Sequence, residues 1–137
     1  MDDHLFRKNL KIIEKPLQKL SELKQIKKGL RNKKKEIAPK FFYDAKGSEL
    51  FNKICETDAY YQTRTEMSLL HQKANAIGDL LGNNRIILEP GAGNMRKIRP
   101  LFKAVKPERY LGIDISKQEV VKSSYGLAID FPEILIF

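Results

Sequence analysis

Ile86-Ile87-Leu88-Glu89-Pro90-Gly91-Ala92-Gly93-Asn94 is the stretch that decides the fold. An apolar run ends in an acid and breaks into a tight glycine turn; a second apolar run, Tyr110-Leu111-Gly112-Ile113, then ends in Asp114. In an α/β sheet the first glycine permits the sharp turn, the second lets a ligand approach the backbone, and the later acid is placed to bind a pair of ribose hydroxyls. The gap from Gly91 to Asp114 is close to the ~20 residues expected between such a loop and its acid. The opening Glu89, and the lack of a third glycine after Gly93, fit an E-x-G-x-G loop better than the G-x-G-x-x-G of dinucleotide enzymes. An ordinary strand-to-loop turn is the competing reading, because the motif alone is short.

Outward from this stretch, residues 85–89, 110–114 and 134–137 read as strands, and residues 95–105 and 117–128 as helices. That order, β-α-β-α-β, is the first half of a doubly wound sheet. Pro100 should shorten or kink the first of these helices, and Ser116-Lys117-Gln118-Glu119 has the pattern of a capping box for the second. In such a sheet the first strand is central, so residues 85–89 would present an unpaired edge, apolar on both faces. Something else covers that edge, or the chain is a fragment.

Upstream, Met67, Leu69, Leu70, Ala74 and Ile77 predict a helix over 65–81 that Gly82 ends. Residues 38–50 read as a structured loop leading into a helix, with Asp44 or Ser48 as its cap. Leu17, Leu20, Leu23, Ile26 and Leu30 recur at helical spacing, so residues 16–30 form an amphipathic helix with Pro16 in its first turn. Leu10 and Ile13 belong to a short preceding helix or an arm. Packing of the apolar stripe onto the domain is expected, since no Trp or Phe anchors it as a membrane-binding face. Three segments follow: a basic helical arm (1–37), a helical segment (38–84) and a partial sheet domain (85–137).

The 137 residues suit one domain, and 42% of them are hydrophobic, enough for a core. The single cysteine, Cys55, makes no internal disulfide; with no His or Cys at ligand spacing nearby it points to no metal, and a buried small hydrophobe is its expected role. The acidic opening Met1-Asp2-Asp3-His4 and the absence of a long apolar run predict neither signal peptide nor membrane span, which makes the cytoplasm the expected compartment. The net charge of +9 is concentrated at Lys24, Lys27, Lys28, Arg31, Lys33, Lys34 and Lys35. A contact with nucleic acid or another acidic surface is one reading of these lysines and a solvated helix end the other; no aromatic is interleaved, as readers of single strands usually need.

Pro39-Lys40-Phe41-Phe42-Tyr43-Asp44-Ala45-Lys46-Gly47-Ser48-Glu49-Leu50-Phe51, followed by Ala59-Tyr60-Tyr61-Gln62-Thr63-Arg64-Thr65-Glu66, resembles the N-terminal signature of the histidine-specific N-alpha-methyltransferases of ergothioneine biosynthesis. The order of elements also matches: these two stretches, the E-x-G-x-G loop with a lysine soon after, and a strand ending in Asp. The resemblance covers residues from about Gly29 onward. It implies a Rossmann-like class I methyltransferase sheet, and S-adenosylmethionine as cofactor. It implies further that Gly91, Lys97 and Asp114 contact that cofactor, with Glu89 and Gly93 completing the loop, and that Tyr60 and Tyr43 line the pocket of a histidine-like amino-acid substrate. Each position also has a plainer reading: Lys97 as a solvated helix lysine, Asp114 as a cap of the next helix, the tyrosines as core aromatics. Thr63, Arg64 and Glu66 are expected to organise their loop, Arg64 by forking to a carboxylate or to backbone carbonyls.

Asn94 stands where the family usually has threonine or serine, and Pro90 replaces a typical leucine. The family's later cofactor motif and its imidazole-reading residues have no counterpart before Phe137. The implied reaction is in-line methyl transfer to a neutral amine, achieved mainly by positioning. No residue here is assigned as a catalytic acid or base, and His4 and His71 stand in no motif for that duty. Three functional readings remain: an incomplete or split methyltransferase needing a second polypeptide, a non-catalytic cofactor-binding remnant, and a basic interaction module that binds nucleic acid.

Overall fold

The computed structural model describes residues 8–15 and 19–137. Five helices and three strands follow in order: α1 (Lys19–Arg31), a single 3-10 turn (Pro39–Phe42), α2 (Ala45–Cys55), α3 (Gln62–Leu81), β1 (Ile86–Pro90), α4 (Ile98–Val105), β2 (Arg109–Ile113), α5 (Lys117–Asp130) and β3 (Leu135–Ile136). The strands form a parallel sheet in the order β1-β2-β3, with Ile86 opposite Arg109 and Arg109 opposite Leu135. The alternation of β1, α4, β2, α5 and β3 is the one expected from hydrophobic spacing.

Strand geometry sends alternate side chains to opposite faces, and here the two faces have different fates. Tyr110 and Ile136 point to the core, where Ile98 and Phe102 of α4, Leu127 and Ala128 of α5, Phe131 and Ile134 close over them. Phe102 is the hub of this cluster, edge-on to both Tyr110 and Phe131 at 5.1 Å between ring centroids. On the other face Ile86, Leu88 and Ile113 are 62%, 58% and 56% exposed. The unpaired β1 edge expected from the sequence is present among the described residues, and a bare apolar face accompanies it. Parallel sheets normally carry cover on both faces.

Several boundaries differ from the sequence reading. α4 begins at Ile98 rather than residue 95, which puts Pro100 in the first turn. There its missing N–H removes no intrahelical bond, so the proline is accommodated by a later start instead of a kink. The stretch around Leu10 forms no helix: it lies beside β3, with Leu10 in a parallel bridge to Ile136, Ile136 N donating to Asn9 O (2.7 Å) and Lys11 N donating to Ile136 O (2.9 Å). Asn9 Nδ2 meets the carbonyls of Ala128, Phe131 and Ile134, each at 3.2 Å, and so serves the end of α5 and the entry to β3. These strand-edge and carbonyl partners outcompete a short helix, whose nucleation is costly. Leu10 does pack on the core.

α1 has the expected amphipathic pattern, but Leu23 and Leu30 are exposed, so the expected docking of its stripe onto the domain is absent there. Its end is held locally, by Asn32 and Glu36 amides returning to Gly29 O. Pro16, Leu17 and His4 lie outside the described residues. Among the described residues no helix is long and apolar enough to cross a membrane.

Replacing Phe102 by Ala removes the hub of the core and should cost about 3–5 kcal/mol in chemical denaturation. Leu88→Lys, on the bare face, should change stability by no more than about 0.5 kcal/mol while reducing self-association in sedimentation velocity. A large loss of stability at Leu88 would show that this face is packed in solution.

Candidate functional site

β1 and β2 end side by side, and the loops leaving them are tied together. Gly91 N and Ala92 N both donate to Ile113 O, at 2.7 and 3.1 Å. Asp114 Oδ2 accepts from Gly93 N at 2.9 Å, and its Oδ1 accepts from Ser116 N at 2.8 Å. Gly91 has φ 74°, a left-handed conformation that costs a residue with a Cβ about 1–2 kcal/mol. A Cβ there would meet nothing within 4 Å, so the loop presents open backbone at this point. The turn is plugged into the core by Met95, buried despite its own φ of 52°.

A cleft of about 930 Å³ opens beside this loop, between the C-terminal ends of β1 and β2 and the helices α2 and α3. The structure brings all seven residues named from the sequence to its walls: Tyr43, Tyr60, Glu89, Gly91, Gly93, Lys97 and Asp114. Tyr43, Phe51 and Tyr60 form one wall as a train of edge-on rings, 6.3 and 6.0 Å apart. Asp44 caps α2 by accepting from Gly47 N at 2.7 Å. Ser48, the other candidate cap, sits inside the helix, and its hydroxyl shares a buried 2.8 Å hydrogen bond with that of Ser116.

That bond explains why the capping box at Ser116 is not made. α5 does start at Lys117, yet Ser116 gives it no side-chain cap, and Glu119 accepts from Asn52 Nδ2 at 3.3 Å. Asn94 Nδ2 in turn donates to Asn52 Oδ1 at 3.2 Å, while Asn94 Oδ1 accepts from Arg96 N. Polar pairs therefore strap α2 to the glycine loop and to α5. Asn52 escaped the sequence reading, and Ser48 was read only as a cap; the signal of this polar face was their four-residue spacing on α2. Cys55, expected to be buried, is only half-buried and lies in the cleft wall, because α2 turns this face to the cleft and not to the core.

The electrostatics of the cleft oppose those of the chain. Five carboxylates line it (Glu56, Glu66, Glu89, Asp114 and Glu119) against two cations, Arg96 and Lys97, in a protein of net charge +9. Burial pushes the Glu89 carboxyl above its usual range, and a 2.5 Å hydrogen bond from the Tyr110 hydroxyl opposes the shift. Lys97 Nζ lies 2.6 Å from Glu66 Oε2, which gives Glu66 a charge-pairing role beyond loop organisation. The pair is half-exposed and worth about 0–1 kcal/mol, little enough for Lys97 to exchange partners with an incoming carboxylate.

Arg64 forks to the backbone carbonyls of Thr57 (2.6 Å) and Asp58 (2.9 Å), the second of its two expected arrangements. His71 Nδ1 lies 2.7 Å from Met67 O on its own helix, outside this cleft.

The family model for the histidine-specific, SAM-dependent methyltransferases matches residues 22–137. The chain belongs to the histidine-specific methyltransferase family. It is 30% identical over 117 residues to the histidine N-alpha-methyltransferase of Mycolicibacterium smegmatis, covering 82% of this chain and 36% of that protein. A 4-dimethylallyltryptophan N-methyltransferase of Claviceps purpurea is 30% identical over 100 residues, 70% of this chain and 29% of the relative. The ergothioneine biosynthesis protein 1 of Neurospora crassa is 27% identical over 93 residues, 65% of this chain and 11% of that longer protein. The chain spans about a third of the length of the first two relatives.

In this chain of the histidine-specific methyltransferase family the Arg64 fork fixes the turn that carries Tyr60 toward the cleft. Arg64→Ala should lower stability by about 1–3 kcal/mol, and Arg64→Lys, which keeps the charge without the planar fork, should recover less than half of it. Limited proteolysis should show faster cleavage within residues 56–61 in both variants; unchanged cleavage would mean that the fork does not hold this turn.

Proposed function

We propose that this chain forms the methyl-donor side of an S-adenosylmethionine-dependent N-methyltransferase acting on the α-amine of histidine or a related amino acid. The observation that carries the reading is the acid-lined cleft beside a glycine loop whose N–H groups are already engaged. Loops that bind pyrophosphate turn free N–H groups toward the anion; here those of Gly91, Ala92 and Gly93 are taken up by Ile113 O and Asp114. An anionic dinucleotide is therefore poorly served, and so is a nucleic-acid backbone within the cleft. A donor carrying a sulfonium and an ammonium suits five carboxylates. The open backbone at Gly91 leaves room for its close approach.

The bound donor supplies a methyl group made electrophilic by its sulfonium. The chain's own residues would hold and orient it. Both oxygens of Asp114 keep a free lone pair beyond their backbone partners, enough to accept from two ribose hydroxyls. Lys97 would face the donor carboxylate, in exchange for Glu66. Tyr43 and Tyr60 offer hydroxyls on rigid apolar rings for the amine or carboxylate of an amino acid. No residue here is assigned to remove the amine's proton, so reaction requires the neutral amine with an acceptor or water beside it.

On this reading residues 38–84 form the substrate-side wall and residues 85–137 the donor side of a Rossmann-like sheet. The bare sheet face and free β1 edge call for a complementary segment, from further sequence of the same polypeptide or from a second one. Membership of the ergothioneine pathway is part of the same proposal, supported by the name of the Neurospora crassa relative, and so is a cytoplasmic site of action. A non-catalytic donor-binding role would share every feature of the donor side and differ only in lacking that complement.

Calorimetric titration of S-adenosylmethionine into the purified chain tests the proposal, with Asp114→Ala and Asp114→Asn alongside. Saturable binding is expected, weakened at least about tenfold in both variants by loss of charge-assisted hydrogen bonds worth about 1.5–3 kcal/mol each. Circular dichroism monitors folding, since Asp114 also ties Gly93 and Ser116. Undiminished affinity in a folded variant removes the ribose assignment. A folded parent chain that does not bind at all removes the proposal.

A further inference from the structure

Tyr110 is fully buried in the core, yet its hydroxyl leaves the apolar cluster to reach a carboxylate on the wall of the cleft. Phenylalanine would fill the same hole. The ring packs edge-on to Phe102 at 5.1 Å, and that contact needs no oxygen. The hydroxyl's partner is Glu89 Oε2, on the neighbouring strand.

The backbone provides the path for this reach. Glu89 of β1 stands opposite Gly112 of β2, and Gly112 lies two residues beyond Tyr110 on the same face of the sheet. A Cβ on Gly112 would sit 3.0 Å from the Tyr110 hydroxyl, 3.1 Å from Cε1 and 3.0 Å from Met95 Cε. The glycine thus leaves a slot along the strand that the phenol fills, its hydroxyl delivered across to the carboxylate. Three features of separate residues, a missing side chain, a buried phenol and a half-buried acid, meet at one hydrogen bond.

We propose that Tyr110 is a positioning residue of the methyl-donor site, whose buried hydroxyl keeps Glu89 ionised and aimed into the cleft to face the cationic part of the donor. This rests on the donor-site reading above. Glu89 needs such help. Burial disfavours its charged form, and so do the neighbouring carboxylates of Glu66 on α3 and Asp114 after β2; Lys97, before α4, acts the other way. Lys97 is itself paired with Glu66. The remaining charged groups on the cleft walls are Glu56 and Glu119, which add negative charge, and Arg96. A hydrogen bond donated by a neutral phenol stabilises the carboxylate without adding a positive charge that would repel a sulfonium. The phenol stays neutral throughout, since burial and Glu89 hold it far above its usual range.

The sign of the pH dependence follows. Glu89 attracts a cation above its pKa, and that attraction is lost as pH falls through it. Burial raises this pKa, so the loss begins at a higher pH than for an exposed glutamate. Removing the phenol's hydrogen bond raises it further, and the loss begins higher still.

The experiment follows two readouts across pH 5–7.5 in the parent chain, Tyr110→Phe and Gly112→Ala: calorimetric affinity for S-adenosylmethionine, and the Glu89 carboxyl resonance in 13C-glutamate-labelled protein, assigned with Glu89→Gln. The phenylalanine variant keeps the ring. The alanine variant keeps the hydroxyl but displaces it, so a folding failure in one leaves the other informative. The expected result is a Glu89 titration moved upward by about one pH unit in each variant. Affinity should then be weaker by up to about tenfold at the acid end of the range and approach the parent's toward the top. Glu89 titration and affinity profiles that coincide with the parent's, with binding intact, overturn the role of Tyr110 alone. No binding by the folded parent chain overturns the donor-site reading, and this role with it.

Discussion

One carboxylate ties the site together. β1 and β2 run parallel and end at the same level, so the loops leaving them would diverge unless something held them. Asp114 holds both, one oxygen on Gly93 N and the other on Ser116 N. The Ile113 carbonyl beside it takes Gly91 N and Ala92 N. The glycine turn and the start of α5 are therefore positioned by the end of a single strand. Hydrogen bonds to an ionised acceptor are roughly twice as strong as neutral ones, so the clasp is firm while keeping lone pairs directed outward. Organising the loop leaves Asp114 with lone pairs for the donor of the proposed function, so the roles of cap and ligand-binding acid are compatible.

The second consequence concerns charge. Strapping α2 to the loop through Asn52, Asn94, Ser48 and Ser116 brings Glu56 and Glu119 to the cleft that already contains Glu89, Asp114 and Glu66. Carboxylates gathered in one cleft repel one another, a cost that cations relieve. Arg96 and Lys97 relieve part of it. The excess leaves the cleft net negative, set within a chain whose overall charge would attract anions. Net charge governs encounter at long range, but the local arrangement governs what fits.

Much of this was legible in the sequence, for identifiable reasons. Hydrophobic spacing and glycine position depend on neighbours along the chain, which is why β1, α4, β2 and α5 emerged within a few residues of their observed ends. Gly91 and Asp114 were legible because one turn and one strand end fix their places. What stayed hidden depends on partners far away in sequence. The Ser116 box looked complete locally, but Ser48 lies 68 residues upstream and takes the hydroxyl. Leu10 reads equally as part of a short helix or of an arm, because its partner Ile136 lies at the other end of the chain. The Tyr110 hydroxyl was unreadable because a core phenylalanine and a core tyrosine leave the same apolar pattern; only the register that sets Glu89 opposite Gly112 separates them.

The bare sheet face belongs to the same argument as the cleft. Ile113 lines the cleft and is also one of the most exposed apolar residues on that face, and Ile115, half exposed, continues both surfaces. A cover laid over Ile86 and Leu88 and continued along the same face reaches Ile113, at the rim of the cleft. Apolar burial and closure of the cleft are therefore coupled by geometry. At about 25 cal/mol for each square ångström removed from water, a cover gains most of its free energy from the sheet face. Only its end touches the cleft. A large, unspecific hydrophobic force is thus available to fix one wall of a charged cleft, while the shape of its floor rests on the few hydrogen bonds gathered around Asp114 and Glu89.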